Sequence, residues 1–214
     1  MKATQLLHPD EGAERILSLI SQADEREEAE GRVWYLAAHD SIREICRNGP
    51  RRGGDRVTTR RACAVTAALS PGSRWERNLS DLSAMLQWAA DGFSPLRRPA
   101  FGTYNANVLK AKMVCVDEAG ERWLRGPKVT AFAKCLSQPL SRHGAVCVDR
   151  HAIRAYQGQW LADDKHGQVR ISPKMYETVA QGYRTAAEMK GWRPMEMQAV
   201  AWVVIKRLTS TTAL

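Results

Sequence analysis

Two side chains in this sequence have the type, setting and spacing for covalent chemistry on a sugar. Gly126-Pro127 reads as a turn feeding a helix, so Lys128 is expected in the first turn of an element running to about Leu136, with Val129, Phe132, Ala133 and Leu136 inward. In a first helical turn the positive end of the macrodipole favours an uncharged amine, the form a Schiff-base nucleophile needs. Twenty-one residues on, the apolar strand-like stretch Ala145–Val148 delivers Asp149 as the expected N-cap of a helix over Arg150–Tyr156. A carboxylate held ionised there can stabilise an oxocarbenium ion developing on a sugar. One helix and a return loop separate the two residues, so both are expected to face one cleft. The plainer reading is a surface lysine and a simple helix cap.

The elements that would carry them are helical, because apolar residues recur at 3.6-residue spacing and few segments alternate with period two. The pattern predicts helices over about 11–30 (Ile16, Leu17, Ile20 and Ala23 on one face), 32–46 and 58–69. Further helices are expected over Trp75–Ala90, Tyr104–Cys115, Pro127–Leu136, Arg150–Tyr156, Ser172–Gly191 and Pro194–Leu208. Ser73-Arg74-Trp75-Glu76 has the form of a capping box, and Ser172-Pro173 that of a cap followed by proline. No linker, low-complexity tract or repeat interrupts the chain. One all-α domain over residues 1–214 is expected, with N-terminal helices and an arginine-rich loop in 1–57, a motif-bearing core in 58–160 and C-terminal helices in 161–214.

With these residues in place, the chain resembles the helix-hairpin-helix DNA glycosylase superfamily, the HhH-GPD fold of endonuclease III and the 8-oxoguanine glycosylases. Gly126-Pro127-Lys128-Val129 looks like the Gly-x-Lys-[Thr/Val] end of the family hairpin, and Val148-Asp149-Arg150-His151 like its Val-Asp-x-His segment. Upstream, Leu69-Ser70-Pro71-Gly72 is similar to the family's Leu-Ser-x-Gln segment, and Tyr104-Asn105 with Lys110-Ala111 to its Tyr-Asn-x-Lys-Ala helix. The resemblance covers about residues 60–160. It implies a two-lobed helical bundle with a shortened hairpin. It also implies Lys128 as nucleophile and Asp149 as essential carboxylate of a base-excising enzyme that flips a nucleotide between its lobes.

Departures from the family pattern matter as much as matches. The hairpin is usually Leu-Pro-Gly-Val-Gly, whose amides bind a DNA phosphate, often with a monovalent cation; here only Arg125-Gly126-Pro127 remains, and Pro127 removes one amide. A monovalent cation at this hairpin is what the family would add. No iron–sulfur or zinc motif is present, because none of the five cysteines forms a C-x-x-C pair. The glutamine that often fills the gap left by a flipped base is replaced by Pro71-Gly72-Ser73-Arg74, so Arg74 or Trp75 is a candidate substitute, and Tyr104 and Trp123 are further candidates for base stacking.

Charge and composition bound the partner. The formal charge is +9, but residues 1–30 hold three basic and eight acidic side chains, a net −5, which leaves +14 on the remainder. The run Arg47–Arg61 carries six arginines against Asp55 alone. Arg51, Arg52, Arg74, Arg125, Gly126, Arg150 and His151 are the expected phosphate and DNA contacts. The longest apolar run, Ala199–Ile205, is far short of the ~20 residues a membrane span needs, and the N-terminal residues lack a sustained apolar signal core. The expectation is a cytoplasmic, nucleoid-associated monomer acting on double-stranded DNA: a glycosylase that excises a damaged, mismatched or modified base, with associated AP lyase activity. The alternatives are a monofunctional glycosylase using water activated by Asp149, a non-catalytic DNA-binding module on the same scaffold, and an RNA-binding or protein-interaction domain.

Overall fold

A computed structural model describes residues 6–51, 57–158 and 172–211. Among these residues every regular element is helical: α1 Pro9–Ile20, α2 Glu25–Asn48, α3 Thr59–Leu69, α4 Trp75–Ala90, α5 Asn105–Val116, α6 Pro127–Ser137, α7 Arg150–Gln157, α8 Pro173–Lys190 and α9 Pro194–Thr211, with 3-10 turns at Pro95–Arg97 and Gly120–Trp123. The protein is all-α. No described helix is long and apolar enough to cross a membrane.

Two local expectations are corrected. The first two helices divide at residues 21–24 rather than at Gly31. Asp24 and Glu27 form a reciprocal cap, in which Asp24 Oδ1 accepts from the Glu27 N–H (2.7 Å) and the Glu27 carboxylate from the Asp24 N–H (3.2 Å). Gly31 lies inside α2 because the backbone of α9 passes there; a Cβ on Gly31 would stand 2.6 Å from Val200 Cα. The capping box at Ser73 does not form, since the N-cap of α4 is Arg74, which contributes no side-chain bond. The stretch 145–148 joins no sheet and is held by a tyrosine, described below.

The described residues form two compact units. One takes in the chain up to Tyr35 together with residues from Leu140 on; the other is Leu36–Pro139. In the first, α1 packs against α7, α8 and α9. Its core includes Ile16, Ile153, Tyr156, Val179, Tyr183 and Val200. The Tyr156 ring fills a notch formed by two glycines: a Cβ on Gly12 would fall inside the ring, and one on Gly182 would come within 2.5 Å of it. The Tyr156 hydroxyl is satisfied by donating to the Leu7 carbonyl (2.7 Å).

In the second unit α3 is central, buried at every residue from Ala62 to Leu69, and packs against α4, α5 and α6. Its run of alanines with Cys63 lets three helices approach closely. The first turn of α3 also fixes the connection from α5 to α6. Arg60 grips the Glu121 carboxylate through two bonds (2.6 and 3.1 Å), and Arg61 donates to the carbonyls of Cys115 (3.4 Å) and Glu118 (3.2 Å). Inside that connection Asp117 accepts from Trp123 Nε1 (2.6 Å) and the Ala119 N–H (3.0 Å) and pairs with Arg122 (2.5 Å). These bonds hold the Asp117 carboxyl below its ordinary range, the Trp123 donor contributing most.

Candidate functional site

Lys128 is the second residue of α6 and is exposed. Gly126 turns the chain into this helix with φ +85°, a conformation that L side chains rarely adopt, and Pro127 occupies the first position, where a missing N–H removes no helical bond. Arg125 and Gly126 are exposed beside Lys128, so the structure gathers these three on one surface segment of the second unit.

Asp149 belongs to the first unit and is the N-cap of α7. Its Oδ1 accepts from the Ala152 N–H (2.8 Å) and its carbonyl from the Ile153 N–H (2.9 Å). The residues feeding it, Val146, Cys147 and Val148, are buried. Buried extended backbone outside a sheet needs partners, and Tyr176 of α8 supplies two: its hydroxyl donates to the Val146 carbonyl (2.7 Å) and accepts from the Val148 N–H (3.2 Å). Tyr176 thus sets the position from which Asp149 enters α7. Sequence reasoning missed it, and its only sequence signal was an aromatic residue four positions past the Ser172 cap.

Two titratable groups surround this carboxylate. The Tyr183 phenol is fully buried, donates to the Ala152 carbonyl (3.1 Å), and is pushed well above its ordinary pKa by burial and then by the charge of Asp149. His151, half-buried in the first turn of α7, is pushed below its ordinary value of 6.5. Burial is the main cause; Asp149 opposes it, while Arg150, Lys206 and Arg154 add to it. His151 is therefore neutral near pH 7, and the exposed Arg150 is the positively charged member of the Asp149-Arg150-His151 segment.

A third group forms where two loops of the second unit meet. Thr103 Oγ1 donates to the Pro71 carbonyl (2.8 Å), and Asn107 Nδ2 donates to Thr103 Oγ1 (3.0 Å). Buried Asp81 anchors the second loop by accepting from the Gly102 N–H (2.9 Å) and from Arg77 Nε (2.8 Å), and Arg77 also donates to the Ala100 carbonyl (2.7 Å). Gly72, at φ +81°, lies under the Tyr104 ring, which is 67% exposed. Tyr104 and the turn carrying exposed Arg74 and half-buried Trp75 therefore occur together. Trp123 is instead tied by its indole N–H into the turn before α6. Asp81, which positions the Tyr104 loop, was also missed, being concealed as one polar residue in the apolar stripe of α4. Arg51 is exposed, whereas Arg52 lies, with the rest of residues 52–56, outside the described residues.

Among the described residues no three His, Cys, Asp or Glu side chains are placed to hold a metal ion. All five cysteines are buried, and burial pushes the Cys46 thiol up to about 11 and that of Cys63 up to about 12, so neither offers a thiolate nucleophile at neutral pH. The chain belongs to the DUF7178 family, a family of unknown function, whose model matches residues 1–209. No curated protein and no solved structure matches it.

Proposed function

We propose that the protein is a DNA glycosylase of the helix-hairpin-helix type that flips and excises a damaged, mismatched or modified base, with associated AP lyase activity. The observation that carries this reading is the local construction of the two motif segments. A positive-φ glycine sets Lys128 in the first turn of a helix, and a buried segment held by Tyr176 sets Asp149 as the cap of another. In this reading the Asp149 carboxylate stabilises positive charge at C1′ as the bond to the base breaks and the departing base takes the electron pair. Lys128 Nζ, as the free amine, forms the new bond to C1′, and an N–H proton passes to O4′ as the C1′–O4′ bond breaks, which leaves a protonated imine. Removal of the C2′ proton then expels the 3′ phosphate by β-elimination.

Extrusion of a base costs a few kcal/mol of stacking and pairing, least at a damaged or mismatched site. An exposed phenol backed by an arginine-bearing turn suits that step, and Tyr104 over the Pro71–Arg74 turn supplies it. The exposed Arg125 beside Gly126 and Lys128 suits a backbone phosphate, a contact the shortened hairpin makes with one amide fewer.

The test is incubation with abasic-site duplexes and a panel of damaged-base and modified-base duplexes in the presence of borohydride, which reduces the imine to a stable adduct. An adduct that disappears in Lys128→Ala is expected. Asp149→Asn keeps a capping oxygen and is expected to stay folded while losing base release; Asp149→Ala additionally loses the cap, at about 1 kcal/mol. Base release without an adduct, still lost in Asp149→Asn, leaves a monofunctional enzyme that activates water. If no duplex in the panel loses a base, the enzyme reading fails and the DNA-binding module replaces it.

A further inference from the structure

A groove of about 270 Å³ in the second unit lies between the end of α4, the segment after it and one face of α5; it is lined by Trp88, Arg98, Asn105, Val108, Leu109 and Lys112. None of these residues belongs to the machinery proposed above. We propose that this groove binds a backbone phosphate of DNA, with the adjoining sugar resting on Leu109. The proposal rests on the DNA-binding half of the reading above and is independent of the chemistry assigned to Lys128 and Asp149.

The charges in the groove point to an anion. Lys112 Nζ stands 4.8 Å from the centroid of Phe93 and 5.4 Å from that of Trp88. Arg98 donates to Asn105 Oδ1 (2.7 Å), a neutral amide that orients the guanidinium without neutralising it. Among the described residues neither cation is ion-paired, whereas neighbouring Arg97 pairs with Asp91 (3.6 Å) and Arg77 with Asp81 (2.8 Å). Aromatic faces replace only part of a cation's hydration, so a half-buried ammonium without a carboxylate gains from an incoming anion. Asn105 also opens α5, whose N-cap Tyr104 offers no side-chain acceptor, so the positive end of that helix adds to the field.

The apolar side of the groove narrows the ligand class. Leu109, on that side, is 63% exposed. The Trp88 N–H is already donated to the Ser94 carbonyl (2.8 Å), so the indole presents no donor of its own. A small inorganic anion would use the cations and ignore this shelf. A nucleic-acid strand uses both, because each phosphate is flanked by apolar sugar C–H groups.

The test compares Arg98→Gln/Lys112→Met with Lys134→Ala/Lys174→Ala, which removes the same charge from exposed positions elsewhere. Methionine at 112 keeps the side-chain stem against Trp88 and Phe93, and a thermal melt confirms folding. Affinity for a labelled duplex bearing an abasic-site analogue is measured across a salt series. The groove variant is expected to bind roughly tenfold more weakly and with a salt slope smaller by about one, and the control pair to change less than threefold.

Equal losses in the two pairs overturn the proposal, as does a wild-type protein that binds no DNA. Lysine acetylation read by mass spectrometry separates a strand from a simple anion: the duplex, but not inorganic phosphate at equal phosphate concentration, is expected to protect Lys112. Equal protection by phosphate overturns the strand assignment. Borohydride trapping at saturating DNA keeps the readings distinct, since the groove variant is expected to trap normally. Normal affinity in that variant with intact trapping removes the groove alone; groove-dependent binding with no trapping or base release removes the chemistry alone.

Discussion

His151 shows how a single side chain in the candidate site separates a charge from a hydrogen bond. Its sequence setting, beside Asp149 and Arg150, suggests a histidine facing phosphate. In the fold, burial outweighs the attraction of Asp149 and lowers its proton affinity, with Arg150, Lys206 and Arg154 acting in the same direction. On acidification the unfolded chain therefore takes up this proton before the folded one does. The stability associated with neutral His151 is fully present above about pH 6.5 and declines as pH falls below it. Thermal melts from pH 7 to pH 5 are expected to show a larger loss of Tm for the wild type than for His151→Gln. Parallel curves would remove the linkage. Any role of His151 in binding DNA near neutral pH is then that of a neutral donor or acceptor, with Arg150 supplying the charge.

At the scale of elements, the helices were legible where a periodic apolar face coincided with a marked terminus. Asp149 caps α7, Ser172 caps α8, and Gly191 ends α8 in the left-handed conformation, all as their residue types require. The break between α1 and α2 was obscured because the Asp24/Glu27 cap sits in a run of acids that reads as one continuous polar face. Tyr176 and Asp81 were illegible for a different reason. Each acts on backbone groups 28 to 30 and 21 residues away, respectively, and periodicity carries no information about that reach. The same blindness to tertiary contact governs Gly31. By helix propensity alone, alanine there would stabilise α2 by about 1 kcal/mol. A Cβ would instead meet the Val200 backbone at 2.6 Å, and backbone cannot swing aside as a side-chain end can. Overpacking of this kind costs roughly 1–3 kcal/mol, so Gly31→Ala is expected to lower Tm by about 3–10 °C, measured by calorimetry. A rise in Tm would mean that α2 and α9 are not in that register.

For the whole molecule, a formal charge of +9 suits the polyanionic partner proposed above, and its distribution names the residues that would meet it. The acids of residues 1–30 are partly consumed in local structure: Glu27 pairs with Arg207 (2.6 Å), Glu11 accepts from the His8 N–H (3.0 Å), and Asp24 caps α2. Several basic side chains elsewhere, Arg98 and Lys112 among them, have no acidic partner among the described residues, so the +14 carried by residues 31–214 is not cancelled within the fold. Binding driven by such charge releases condensed counterions, and log K falls with log salt by about 0.9 for each phosphate neutralised. Four phosphates, one in the Arg98–Lys112 groove and others at Arg125, Arg74 and Arg150, would give a slope near −3.6 and a roughly hundredfold loss of affinity between 50 and 200 mM salt. Titration of one duplex by fluorescence anisotropy at several salt concentrations measures this directly. A slope shallower than about −1 would mean that the cationic surface is not a DNA surface, whatever chemistry Lys128 and Asp149 perform. A steep slope shared equally by RNA and DNA duplexes would assign the charge to a polyanion in general and leave any preference for DNA to the chemistry proposed for Lys128 and Asp149.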